Sequence, residues 1–260
     1  MFASALIAGC AAWLLAAVLH FAFVQEYILL GETYETGAAV HFGSAVAAAD
    51  GHEHTHETGA VAHDHGANDP GAHDPAANDL GAHDHGEAAT AVMRNGWTVL
   101  FTGLVYVAYA MILVAGFGLA RIYGRVIDAR AGLLWGIAGF AAFQLAPAMG
   151  LAPELPGTAA ADLGARQVWW WATVAATGTG LALLAYGHGV VTVAVAAMLL
   201  AAPHVIGAPM LEGFGGVAPP EVAAAFSARV LGVGLVVWSV MGWVAGYVWG
   251  DEKAMRGALA

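Results

Sequence analysis

Charge is the first thing this chain lacks. Only 10% of its 260 residues are Asp, Glu, Lys or Arg, and 60% are hydrophobic. A soluble domain carries about 25% charge, and with a mean hydropathy of +0.69 the chain calls for a solvent other than water. Basic residues are the scarcest. There are eight, and none precedes Arg94. Twelve of the 19 acids lie between Glu26 and Glu87, so nearly all of the formal net charge of −11 belongs to one segment. That segment repels nucleic acid and anionic lipid and attracts cations. Cysteine is almost absent too. With Cys10 alone, neither an internal disulfide nor a thiolate metal cluster can form. Cys10 is expected to be a small buried thiol in a helix, because the apolar run continues past it and no basic residue precedes it. No Gly-x4-Gly-Lys-Ser/Thr motif occurs, so the chain is not expected to hydrolyse ATP, and it is not read as an enzyme.

Long apolar runs are abundant. A hydrocarbon core of ~30 Å needs about 20 apolar helical residues. Six segments approach that length: 2–24, 97–120, 131–149, 168–186, 190–206 and 225–249. The fourth and fifth are joined only by Gly187-His188-Gly189. The expectation is an all-α, polytopic integral membrane protein with six transmembrane helices, or five if that pair is one bent element. Its parts are a first helix (1–24), a loop (25–96) and a helical bundle (97–260). Glycines at four-residue spacing (Gly242, Gly246, Gly250) and a second row starting at Gly232 are expected to let helices approach closely. Arg121, Arg125, Arg130, Lys253 and Arg256 share one side, against Arg94, Arg166 and Arg229 on the other. By the positive-inside rule both termini are cytoplasmic, and the 25–96 loop is periplasmic or extracellular, as in a bacterial inner membrane.

That loop holds nine of the twelve histidines. They recur in a ten-residue pattern: Ala62-His63-Asp64-His65-Gly66, Ala72-His73-Asp74-Pro75-Ala76 and Ala82-His83-Asp84-His85-Gly86. His52, His54 and His56 precede it. Alanine, glycine and acids bury too little apolar surface to offset chain entropy, so residues 45–92 are expected to be disordered. Neutral imidazole suits cobalt, nickel and zinc, and interleaved carboxylates lower the cost of bringing in a dication. His52, His54, His56, His63, His65, His73, His83 and His85 therefore form a shallow, multi-site binder that concentrates ions rather than selecting them.

Selection is expected within the membrane, where polar side chains mark function. His20, Gln144 and His204 each lie near the same end of their span and are expected to converge on one vestibule beneath the loop. Glu32, Glu35, Glu154, Asp162 and Arg166 add charge beside it, with Arg166 and Asp162 four apart and able to pair on one helical face. Pro147, Pro203 and Pro209 are expected to break helices and free carbonyls. Trp169, Trp170 and Trp171 are expected at the membrane interface.

Several of these segments together resemble a known family. They are Gly132-Leu133-Leu134-Trp135-Gly136, the run Gly139 to Pro147, Gly150 to Gly157, Ala161 to Trp170, and Pro203-His204-Val205-Ile206-Gly207-Ala208-Pro209. With Glu32-Thr33-Tyr34-Glu35 after the first span, they resemble the CbtA family of predicted cobalt transporter subunits. The resemblance implies cobalt uptake for cobalamin synthesis and a small single-span, histidine-containing partner subunit. The function expected is a permease subunit importing a divalent metal ion, cobalt first and nickel or zinc after it. Membrane lipid and further copies of the chain are its other expected partners. Two alternatives differ in class. A metal-storing or metal-sensing membrane protein would bind without flux, and a haem-binding redox protein using His20 and His204 would show a Soret band.

Overall fold

The computed structural model describes residues 2–41, 82–211, 213 and 215–258; side chains are described within 2–41 and 90–250. The histidines from His52 to His73 lie outside the described residues. Those of His83 and His85 do so as side chains.

The described chain is helical. α1 (Phe2–Phe23) is followed at once by the short α2 (Gln25–Glu35). α3 (Ala82–Ile122) starts well before the apolar run expected from 97, so positions 82–92 of the segment expected to be disordered have helical backbone. Its portion up to Thr98 belongs to a second compact unit, 42–98, and the remainder to the bundle. α4 (Ala129–Ala148) is α-helical over Ala129–Phe140, π-helical over Ala141–Leu145, and closes with one α turn. Asp128 caps its start by accepting from the Ala131 N–H at 2.7 Å. α5 (Leu163–Tyr186), α6 (Val190–Ile206) and α7 (Pro220–Ala258) complete the order.

Five of these helices are long and apolar enough to cross a bilayer. α6, with 17 residues, is shorter, about 25 Å at 1.5 Å per residue. It is nevertheless a separate helix. Gly189 and Gly207 bound it, both with φ of +86°, a region open to glycine at no steric cost. α6 returns along the whole of α5: Gly187 packs on Thr192 at one end, Gly180 on Leu200 midway, and Trp169 reaches Pro203 at the other.

The core lies among α1, α3, α4 and α7, with Trp238, Phe117, Met241 and Val237 fully buried. Its tightest seam is α4 against α7. A Cβ on Gly132 would collide with the Gly242 carbonyl and Gly246. One on Gly136 would collide with the Trp238 carbonyl and stand 3.0 Å from the Gly242 Cα. Small residues serve here because apolar burial gives helices little reason to associate in lipid, whereas close packing does. Gly232 behaves otherwise: nothing lies within 4 Å of where its Cβ would be. Cys10 also departs from expectation. It is exposed on α1, because Ala8, Gly9 and Ala12 take the buried positions around it.

Candidate functional site

The ends of α1, α4 and α6, the starts of α5 and α7, and α2 gather at one end of the bundle. Two loops are tied together there. Thr158 and Gly216 form an isolated antiparallel bridge, and the Ala159 N–H donates to the Gly215 carbonyl at 3.3 Å. Gly31 of α2 packs on Leu155 and Pro156, and the Ser227 hydroxyl donates to the Pro153 carbonyl at 2.7 Å.

Each charged residue expected here has a place. Arg166 pairs with Glu154 at 2.7 Å and not with Asp162. The Asp162 carboxylate is engaged instead as the N-cap of α5, accepting from the Ala165 N–H at 2.9 Å, and a cap points its side chain back at the helix start, away from the residue one turn on. A partly exposed ion pair contributes about 0–1 kcal/mol, so the value of Arg166–Glu154 lies in holding the 149–162 loop against α5. Arg229 lies 4.0 Å from Glu26 and stacks on the Tyr27 ring at 4.2 Å. Glu35 lies beside Gly157, and Glu32 is on the same short helix. Glu221 stands in the first turn of α7. Carboxylates outnumber guanidiniums at this end, and such an excess attracts cations.

The three intramembrane candidates occupy separate surroundings. His20 is half-buried, edge-on to Phe21 at 5.4 Å. His204 is half-buried and edge-on to Trp169 at 6.5 Å. Among the described residues neither ring makes a hydrogen bond, and no three His, Cys, Asp or Glu side chains stand close enough together to hold a metal ion. Gln144 sits in the π-helical turn. Its side chain lies over Gly234, where a Cβ would collide with it. Among the described residues its buried Oε1 has no hydrogen-bond donor, and its amide approaches the Tyr106 hydroxyl. Pro147 accounts for the turn, since it offers no N–H to the carbonyls of the preceding turn. π turns of this kind occur frequently at functional sites.

Pro203 does not break α6. The helix runs through it to Ile206 and stops at Gly207. The Pro203 carbonyl accepts twice, from the Gly207 N–H at 3.0 Å and from the Trp169 indole at 3.2 Å. Trp169 is therefore buried between helices, and Trp171, at 60% exposure, is the interfacial ring of the three.

Sequence reasoning missed the aromatic cluster beside Gln144. Tyr109 lies 4.9 Å from Trp238 and 5.3 Å from Phe143, and Phe143 stacks on Trp238 at 5.6 Å. A signal existed. Tyrosine and tryptophan favour the two interfaces of a span, whereas Tyr106, Tyr109 and Trp238 fall mid-helix.

The CbtA family model, described as a probable cobalt transporter subunit, matches residues 1–250, essentially the whole chain. No curated protein and no solved structure matches it. With the glycine seam, the Gln144 turn and the His204 segment all inside the matched range, the chain belongs to the CbtA family.

Proposed function

We propose that this protein is the membrane permease subunit that imports a divalent transition-metal ion, cobalt, into a bacterial cell. The observation that carries this reading is the family match over residues 1–250. The histidine-rich loop, on the periplasmic or extracellular side, captures the ion. The carboxylate-rich end of the bundle draws it inward. Selection follows near that end, with His204 and His20 as separate nitrogen ligands along the path, Gln144 as a polar group deeper in the bundle, and Glu32, Glu35, Glu154, Asp162 and Arg166 lining the approach. His204 supports the role: its ring is half-buried beside Trp169, and among the described residues it makes no hydrogen bond. A half-buried imidazole without a hydrogen-bond partner keeps a ring nitrogen available to a metal ion.

The energy comes from outside the chain. An inside-negative potential favours entry by ~2.3 kcal/mol per charge per 100 mV, so about twice that for a dication. A small single-span, histidine-containing subunit is the expected partner, and cobalamin synthesis the destination of the metal. Cells expressing the chain should accumulate radioactive cobalt at low external concentration, with nickel and zinc as competitors and manganese competing hardly at all. Uptake equal to that of cells lacking the chain would overturn the proposal.

A further inference from the structure

At the opposite end of the bundle, α3, α4 and α5 leave a cavity of about 680 Å3 between them. It runs from Arg125, in the turn after α3, up to Tyr109 and Trp238. Tyr109 lies 13 residues before the end of α3 at Ile122, about 20 Å at 1.5 Å per residue. The walls are mostly apolar, and small residues such as Gly178 and Ala182 leave the space open. Ile112 and Leu134 on the rim are 52% and 61% exposed, so the groove opens sideways, where a bilayer would present hydrocarbon.

The cavity's size and lining rule out three occupants. Water needs about two to four polar partners each, which these walls do not supply. A metal ion in transit would meet apolar walls and a guanidinium at the mouth. A transmembrane helix about 10 Å wide and 30 Å long fills roughly 2,400 Å3, several times the space available. The cavity holds about twenty groups of ~30 Å3, the volume of a water molecule, which is the scale of one hydrocarbon chain. At its mouth the Arg125 guanidinium lies over the Tyr186 ring at 5.0 Å, and the Tyr186 hydroxyl accepts from the Trp135 indole at 2.9 Å. The stack orients the guanidinium, and among the described residues Arg125 has no carboxylate partner within ion-pair distance. Arg121 and Arg130 lie nearby in sequence at the same end. Fixed cationic charge above an apolar slot matches one class of molecule.

We propose that this groove seats an acyl chain of an anionic phospholipid from the adjoining leaflet, with its phosphate on Arg125. The lipid then touches Tyr109, Phe143 and Trp238, the ring cluster beside Gln144, and its seat wedges α3, α4 and α5 at a fixed spacing. The inference does not depend on which metal, if any, the protein carries.

The test uses the purified full chain in mild detergent, titrated with phosphatidylglycerol or phosphatidylcholine. Native mass spectrometry counts the bound lipids, and thermal unfolding reports on stability. The wild type should retain one phosphatidylglycerol per chain, raise its Tm on adding it, and bind phosphatidylcholine about fivefold more weakly, the effect of one basic side chain at an anionic surface. Arg125→Gln should erase that preference while leaving the fold unchanged. Gly178→Leu should block both lipids, since nothing lies within 4 Å of its Cβ direction and the new side chain enters the groove. Ala182→Leu, at an exposed lining position, serves the same purpose should Gly178→Leu not fold. Equal binding of the two lipids by the wild type would overturn the proposal. So would lipid binding undiminished by a filled groove, or a lipid-free dimer.

Discussion

His204 and Trp169 show what a single side chain can reveal before and after its neighbours are known. An imidazole next to proline in an apolar run is conspicuous in the sequence. Its partner is not, because Trp169 lies 35 positions earlier and reads as one of three adjacent interfacial tryptophans. The two are linked through Pro203, whose carbonyl holds the Trp169 indole. His204→Ala should reduce cobalt flux to background at limiting metal while membrane insertion is unchanged. His204→Gln should be nearly as defective, since an amide is a poor ligand for a borderline cation. Gln144→Ala should cost only severalfold. Radioactive cobalt uptake by the three variants checks this, and wild-type flux in His204→Ala would move the selective site to Glu32, Glu35, Glu154 and Asp162. Trp169→Phe keeps an aromatic ring but removes the indole donor and part of a buried side chain's volume, a loss of about 1–3 kcal/mol. It should lower the unfolding midpoint and raise the cobalt concentration needed for half-maximal uptake, and His204→Ala should hide that second effect. An unaltered half-maximal concentration would show that Trp169 does not position His204. The pairings of Arg166 and Asp162 were illegible for a related reason. Spacing along a helix shows which side chains can meet, but a loop residue such as Glu154 competes from outside that pattern.

Helices were the most legible level. Apolar length located the five helices long enough to cross a bilayer and the shorter α6, and the Gly187–Gly189 junction proved to be a hairpin turn between two helices, α5 and α6. Boundaries were less so: α3 begins at Ala82, where Glu87 and the alanines favour a helix but His83, Asp84 and Gly86 do not, and no apolar run advertises it. Packing faces were half legible. The Gly242–Gly246 row does meet Gly132 and Gly136, but nothing among the described residues lies within 4 Å of where a Gly232 Cβ would be, because four-residue spacing marks a smooth stripe without saying what covers it. The difference yields a paired prediction. Gly136→Ala should destabilise by about 1–3 kcal/mol through overpacking against the Trp238 carbonyl. Gly232→Ala should be neutral or stabilising by up to ~1 kcal/mol, since alanine is the better helix former. Thermal unfolding of both in detergent decides it, and equal midpoints would contradict the close α4–α7 contact.

Across the whole molecule the sequence falls into two kinds: a hydrophilic segment crowded with imidazole and carboxylate, and a long apolar remainder with few charged groups. Composition made that division plain, because no shared solvent suits both. It could not show how the intramembrane candidates face one another, since convergence depends on helix rotation, and His20, Gln144 and His204 each face different neighbours. Deleting residues 50–90 should leave the bundle folded and weaken uptake only at low external cobalt, because the loop raises local concentration without forming the path. Loss of uptake at saturating cobalt would contradict that separation. The most direct test of the central claim is cobalt movement across a sealed membrane. Purified protein, alone and with its single-span partner, is reconstituted into proteoliposomes with an inside-negative potential, and external metal is stripped with a chelator before counting. The expected result is saturable cobalt in the lumen that resists the chelator, increases with the potential and disappears in His204→Ala. Cobalt that binds to the outside and is wholly removed by the chelator, with or without the partner, would contradict it.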